Sequence, residues 1–190
     1  MQPALKLVTD PPRESAPISD FVAAMSTLAS GVVLVTTWLG DRPWGMTVTA
    51  FASVSAEPPT ILVSLGSTTT SAHAIMATRG FGVSILADEQ VAVARLGSEP
   101  GAAKFLEPFV DPSEGSSASP VVAGSLAHLD CELSEVVQIA DHTILFGRVH
   151  AAQGSRSGTP LLYHRRGYRT TANGDMGRLP TERKLTCLSS

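Results

Sequence analysis

The sequence predicts a mainly β protein, an antiparallel barrel carrying a few short peripheral helices. Two observations carry that expectation. Runs rich in Val, Ile and Thr recur from Gly31 to Tyr168 and are cut by Gly, Pro, Asp and Ser. Most of these runs also follow one another directly, without the intervening helices that a doubly wound parallel sheet requires. A length of 190 residues with 43% hydrophobic content suits a single core.

The first element expected is a short amphipathic helix over Ile18 to Ala29. Ser19-Asp20 serves as its N-cap, Phe21, Met25 and Leu28 share one face, and Gly31 ends it. Strand signals follow at Val32 to Trp38 and at Gly45 to Ser55, with Gly40-Asp41-Arg42-Pro43 as the turn between them. Another strand, Thr60 to Leu65, comes after Pro58-Pro59. Ser71 to Thr78 reads as a second helix, stopped by Arg79-Gly80, and Phe81 to Leu86 returns to a strand. Asp88 to Leu96 is Ala-rich with apolar residues at helical spacing, which predicts a third helix. Gly97 to Ser119 is rich in Ser, Pro and Gly and reads as irregular, anchored by Phe105 and Phe109. Leu126 to Val136, His142 to Ala152 and Leu161 to Tyr168 complete a set of six or seven strands. Residues 1–16 and 173–190 lack apolar periodicity and read as tails flanking one domain at 17–172.

Composition narrows the function classes. Fourteen basic against 17 acidic residues leave a net charge of -3, with no basic excess to meet a phosphate backbone, so nucleic acid is not an expected partner. No apolar run approaches the ~20 residues that a bilayer-spanning helix needs, and Met1 to Pro17 lacks the pattern of a signal peptide. A cytoplasmic, reducing location is the expectation, with Cys131 as an inert core thiol. The histidines show no metal-ligand spacing, so no metal is expected. No G-x-S-x-G elbow supports a hydrolase, and no Walker pattern is present.

Three segments could carry chemistry. From Gly45 to Ser55 small hydroxyl side chains alternate with apolar ones: Thr47, Thr49, Phe51, Ser53 and Ser55 against Met46, Val48, Ala50 and Val54. A flat cofactor with a polar edge suits such a strand, because small side chains let its backbone approach. A plain half-exposed strand would look the same, since Thr favours strands. Ser67-Thr68-Thr69-Thr70-Ser71 precedes a helix, where free N–H groups and the helix dipole favour an anion; an ordinary N-capped loop is the alternative. His142, after Asp141 in a turn, could face a ligand and change charge near neutrality, or could be structural.

In order and spacing these pieces resemble the flavin reductase family, the reductase partners of two-component flavin-dependent monooxygenases. The resemblance runs from about Phe21 to Thr170 and rests on Ser30 to Thr37, Gly45 to Ser55, Pro58-Pro59 before Val63-Ser64-Leu65, and Phe81 to Leu86. It continues through Cys131-Glu132, Asp141-His142-Thr143, Gly147-Arg148-Val149, and Pro160 to Tyr163 before Gly167-Tyr168. It implies a Greek-key FMN-binding split barrel, a homodimer, and reduction of FMN or FAD by NADH or NADPH for a separate oxygenase. By the same comparison flavin is held by Thr47, Val48, Thr49, Ala50 and Phe51 with Ser53 nearby. Ser64, Leu65, Gly66, Thr70 and Ser71 would lie at the phosphate, and Phe81 belongs to the implied cofactor set. His142 is the implied nicotinamide contact and catalytic position, with Tyr168 close to it.

The resembling family commonly carries Asn-Arg-Ser-Ser and then a basic residue at the phosphate loop, where this chain has Gly66-Ser67-Thr68-Thr69-Thr70. Each missing charge-assisted contact weakens phosphate binding by ~1 to 2 kcal/mol. Looser flavin retention follows, unless Arg79, His73 or a partner chain substitutes. Two other readings share the barrel: a non-catalytic flavin carrier, and an oxidase of pyridoxamine phosphate type. The second would need a more basic middle of the chain.

Overall fold

The computed structural model describes residues 14–110, 118–154 and 157–171. The expected tails therefore lie outside the described residues, apart from 14–16 at the first one.

Helix α1 (Ile18–Ser26) opens the chain and β1 (Ser30–Gly31) follows. The hairpin β2 (Val33–Leu39) and β3 (Arg42–Val48) turns at Gly40-Asp41, with Gly40 at φ 66. Next come β4 (Phe51–Ala56) and β5 (Pro59–Gly66), then α2 (Thr70–Thr78) and β6 (Gly80–Ile85). A 3-10 turn at Asp88–Gln90 leads into α3 (Val91–Ser98). The long hairpin β7 (Ala127–Ile139) and β8 (His142–Gly154) is followed by β9 (Leu162–His164) and β10 (Gly167–Arg169).

Seven strands form one antiparallel sheet in the order β3-β2-β6-β7-β8-β5-β4. Its outermost strands, β3 and β4, are consecutive in the chain and are joined only by Thr49 and Ala50. Laid flat, seven strands would hold their edges about 29 Å apart at ~4.8 Å per strand. The link from Val48 to Phe51 spans at most about 11 Å. The sheet is therefore closed into a barrel whose two edges meet at this link. β3 does not pair with β4; the Ser64 N–H donates to the Ala50 carbonyl at 3.0 Å across the meeting. The barrel is split along that seam.

Two apolar clusters flank the barrel wall. Val33, Val35, Val63, Leu65, Ile75, Phe81 and Leu145 fill the interior. Val32, Leu34, Leu86, Val93, Leu106, Val122 and Leu161 pack the outside of β2 against α3, with Phe109 and Val110 partly buried against them. Burial on both sides explains why Val32 to Val35 is an unbroken apolar run. Gly147 permits the interior packing, because a Cβ there would lie 2.5 Å from the Phe81 ring. Cys131 is buried, as expected, and burial pushes its thiol up to about 12.

A polar knot pins the return segment to this frame. The ring nitrogens of His128 meet Ser84 Oγ at 2.9 Å and Ser119 Oγ at 3.0 Å. The Asp130 carboxylate accepts from the Ser119 hydroxyl, from the Ser119 N–H at 3.0 Å and from the Ala118 N–H at 3.3 Å. Ser84, Ser119, His128 and Asp130 are all buried, at most 8% exposed, and their mutual bonds satisfy groups that burial would otherwise penalise.

Three expectations are corrected. Helix α1 begins at Ile18 with Pro17 at its N-cap and ends at Ser26, so Ser19-Asp20 lie in its first turn rather than cap it, and Leu28 falls beyond it. Gly45 to Ser55 is not one strand: it breaks at Thr49-Ala50 to cross the seam, so its alternation does not define a continuous face. Leu161 to Tyr168 is the β9–β10 hairpin rather than one strand, turned by Arg165 and Arg166 at φ 48 and 59.

Candidate functional site

The seam is where backbone is left uncovered. Val48 is buried, whereas Thr49 and Ala50 are exposed in a link that bends too sharply for ladder pairing, and Ala52 and Ser53 are exposed on the edge strand β4 that follows. Three cavities meet at Thr49. One of about 560 Å³ has Thr47 and Thr49 on one wall and Arg95, Ser98, Tyr168 and Arg169 on the other. A second, about 410 Å³, runs between α1 and the β9–β10 turn past Ala50. The third, about 470 Å³ and mostly apolar, follows Thr49 to Ala52 along the edge of β4.

The wall opposite the seam is fixed by α3. Gly97 lies so close to β3 that a Cβ there would stand 2.8 Å from the Thr47 backbone nitrogen. The Thr47 hydroxyl donates to the Ala94 carbonyl at 2.7 Å. Lys104 closes the end of the helix, its ammonium donating to the Gly97 and Glu99 carbonyls at 3.0 and 2.6 Å. Burial holds the Lys104 amine below its usual range, with Glu99 pulling the other way. Ser98 Oγ and Tyr168 Oη stand 3.4 Å apart, and Tyr163 meets Tyr168 edge-on with centroids 5.5 Å apart.

The remaining sequence-predicted residues gather at the far end of β5. Gly66 pairs with His142 across β5 and β8, which brings the hydroxyl loop and the Asp141-His142 turn together. The Ser67 N–H donates to the Asp141 carbonyl at 2.9 Å, and the Thr143 hydroxyl donates to Ser67 Oγ at 2.9 Å. His142 Nδ1 lies 2.8 Å from the Asp141 carboxylate with its side chain half exposed. That hydrogen bond holds the Asp141 carboxyl below the usual carboxylate range.

Much of the loop's hydroxyl chemistry is committed internally. Thr69 is the N-cap of α2: its Oγ1 accepts from the Ala72 N–H at 3.3 Å and donates to the Gly66 carbonyl. Ser71 is buried and accepts from the Trp44 indole at 3.0 Å. Ser67 is tied to Thr143, so Thr68 and Thr70 are the exposed hydroxyls of the loop. Arg79 does not replace the missing charge, because it sits at the C-terminal end of α2 and donates to the Leu133 carbonyl at 2.9 Å. His73 lies exposed one residue beyond the first buried pair of α2.

Thr47, Thr49 and Tyr168 thus share the largest of these cavities, Ala50 and Phe51 border its neighbours, and Ser64 bonds to Ala50. Val48 and Leu65 turn their side chains into the core and could offer a ligand only backbone. Ser53 is exposed on β4 beside a bulge. Phe81, like Val48 and Leu65, is a core residue, 1% exposed and packed against Gly147, and its ring lines none of the three cavities. His142 lines none of the three cavities within one chain. The residues that sequence reasoning missed are Arg95, Ser98, Tyr163, Arg166 and Arg169. No local signal marks them, because two arginines occupy the turn that Asn-Gly would have announced.

An antiparallel barrel split beside a bordered cavity, with small hydroxyl residues along the split, defines a binding barrel for a flat, polar-edged cofactor. The family model described as flavin reductase like domain matches residues 25–172, and the chain belongs to that family. It is 37% identical over 150 residues to the reductase subunit HsaB of a flavin-dependent monooxygenase from Rhodococcus jostii, covering 78% of this chain and 75% of that one. It is 35% identical over 150 residues to the reductase component of 4-hydroxyphenylacetate 3-monooxygenase from Thermus thermophilus, covering 78% and 93%. Among solved structures, the NADH:FAD oxidoreductase SgcE6 of Streptomyces globisporus, in complex with NAD and FAD fragments, superposes with a TM-score of 0.73. That match has 28% identity and covers 85% of this chain and 98% of the other. Among the described residues no helix is long and apolar enough to cross a membrane, and no group of His, Cys, Asp and Glu could hold a metal ion.

Proposed function

We propose that this protein reduces free flavin with a nicotinamide and passes the reduced flavin to a separate oxygenase. The observation that carries the reading is the split at Thr49-Ala50, where the barrel leaves backbone and small side chains open to three cavities. A flavin ring needs such an approach, and the small and hydroxyl-bearing residues Thr47, Thr49, Ala50, Ala52 and Ser53 supply it. Bound there, the flavin accepts hydride directly from the nicotinamide, so the protein contributes binding geometry and electrostatics. Thr47 to Phe51 hold the ring edge, and their backbone N–H groups stabilise charge that develops on it. Ser64 to Ser71 receive the flavin phosphate through Thr68, Thr70 and the free N–H groups that open α2. The relatives named as monooxygenase reductases support a separate oxygenase as the consumer.

The working unit in this reading is a homodimer. Helix α1 buries none of its residues, with Ile18 81% and Phe21 61% exposed, and Leu28 just beyond it is 57% exposed. Nine residues do not hold a helix in water without packing. The β7–β8 hairpin likewise exposes Val136 and Ile139 beside His142. A second copy covering these surfaces would bring a hairpin tip, and with it His142, to a neighbour's cavity. Calorimetric titration with FMN and FAD tests the site. Thr49→Trp, which fills the junction of the cavities, should abolish binding, and unchanged binding would remove the seam from the site. Light scattering of the same samples should give twice the chain mass.

A further inference from the structure

The three guanidiniums in the largest of these cavities are unusual for this chain. Arg95, Arg166 and Arg169 line one space of about 560 Å³ in a protein of net charge -3. None of them pairs with a carboxylate among the described residues, whose ion pairs involve Arg42, His128, His142 and His150. Like charges gathered without a counter-charge repel one another, so the arrangement is complementary to an anion that arrives from outside.

A second observation points the same way. Arg165 and Arg166 form the two-residue turn of β9–β10 with both φ values positive, 48 and 59. Side chains with a Cβ rarely adopt that conformation, and Asn-Gly fills such turns with less strain. The strained turn holds Arg166 at the border of two cavities, opposite Thr49. Strain retained at a cavity mouth is a feature of ligand clamps.

We propose that this cavity binds the phosphorylated adenosine end of the nicotinamide donor, with Arg95 and Arg166 closing on a ribose 2′-phosphate, so that NADPH is accepted at least as readily as NADH. This rests on the reductase reading and deepens it. Guanidiniums pair bidentately with phosphate oxygens, and an added dianionic phosphate is the one feature that separates the two donors. Ser98 and the Tyr168 hydroxyl add neutral donors, and the edge-on Tyr163–Tyr168 pair offers ring surface to adenine. Thr47 and Thr49 form the facing wall, so the rest of the same molecule extends toward the seam.

The test uses the full chain and a redox-inert probe. Adenosine 2′,5′-diphosphate and ADP are titrated calorimetrically into the wild type and into the Arg95→Gln/Arg166→Gln variant, both sites being exposed enough for the variant to fold. The 2′-phosphorylated probe should bind about tenfold tighter than ADP to the wild type, and the variant should lose that difference. In turnover, the variant's KM for NADPH should rise about tenfold while its KM for NADH changes less than about twofold. Equal binding of the two probes would overturn the proposal, as would wild-type use of NADH without NADPH. A rise in the flavin KM alone would assign the cavity to the flavin phosphate and overturn it too. If neither donor is oxidised in a flavin-dependent way while the arginine-dependent preference persists, the cavity assignment stands and the reductase reading falls.

Discussion

Gly97 of α3 rests directly on Thr47 of β3: a Cβ at Gly97 would meet the Thr47 backbone nitrogen at 2.8 Å and the Leu34 side chain at 2.6 Å. The helix carrying Arg95 and Ser98 is thereby set at a fixed height above the seam. Gly97→Ala should push α3 outward, with a loss of about 1–3 kcal/mol in unfolding free energy. Flavin affinity should fall with it, and chemical denaturation with a parallel flavin titration reads both. Retained stability and affinity would mean the contact sets nothing.

Thr69 offers a simpler local test, because its side chain caps the N-terminus of α2 by accepting from the Ala72 N–H. Thr69→Ala should cost about 1 kcal/mol, and Thr69→Ser should restore most of it. Urea unfolding of the two variants distinguishes capping from mere loss of a methyl group.

The Asp130 carboxylate is the hub of the knot that holds Ala118 and Ser119 against β7. Asp130→Ala leaves the buried Ser119 N–H without its acceptor and removes a partner from the Ser119 hydroxyl and the Ala118 N–H, so a loss of about 1–3 kcal/mol is expected. Native-state hydrogen exchange should show faster exchange at Ala118, Ser119 and Val122, the last of which donates to Ser84.

Cys131 has a pH signature of known sign. Its folded value is pushed up from 9.0 to about 12, first by burial and then by the Asp130 charge. A raised folded pKa means this contribution to stability is complete below about pH 9 and is lost progressively as the pH climbs toward 12. In a Cys187→Ser background, the Cys131 thiol should resist iodoacetamide at pH 8 until the protein is unfolded. Rapid labelling of the native protein would contradict its burial.

His142 is the residue whose role depends most on assembly. His142→Ala should raise the KM for the nicotinamide more than the KM for flavin. Equal changes in both would remove its assigned part. His142 lines none of the three cavities at the seam of its own chain, so in the proposed homodimer a change on the exposed helix face such as Phe21→Asp should produce the same pattern in an otherwise intact protein.

The legible parts of the fold were those written in local chemistry. Val32 to Val35 announces a strand buried on both faces, Gly40-Asp41 announces its hairpin, and the hydroxyl run before Ser71 contains the cap of α2. The break at Thr49-Ala50 was not legible, since neither residue is a breaker and the bend is imposed by barrel closure. The Arg165-Arg166 turn was missed for a related reason: nothing in two arginines signals positive φ. The cavity they share with Arg95 is a tertiary juxtaposition of residues far apart in sequence. The resemblance singled out Thr47 to Phe51 and the His142 turn but carried no information on the break within that stretch or on which loop hydroxyls the fold would consume. Phe81 shows the reverse, since its position in the resemblance said nothing about its ring being enclosed.

The central claim is flavin reduction, and oxidation of NADH and of NADPH by the purified full chain, with and without added FMN or FAD, tests it most directly. A saturable rate that appears only when flavin is added, and that Thr49→Trp abolishes, is the predicted result. Absence of any flavin-dependent rate with both donors, from protein shown to be folded, would contradict the account.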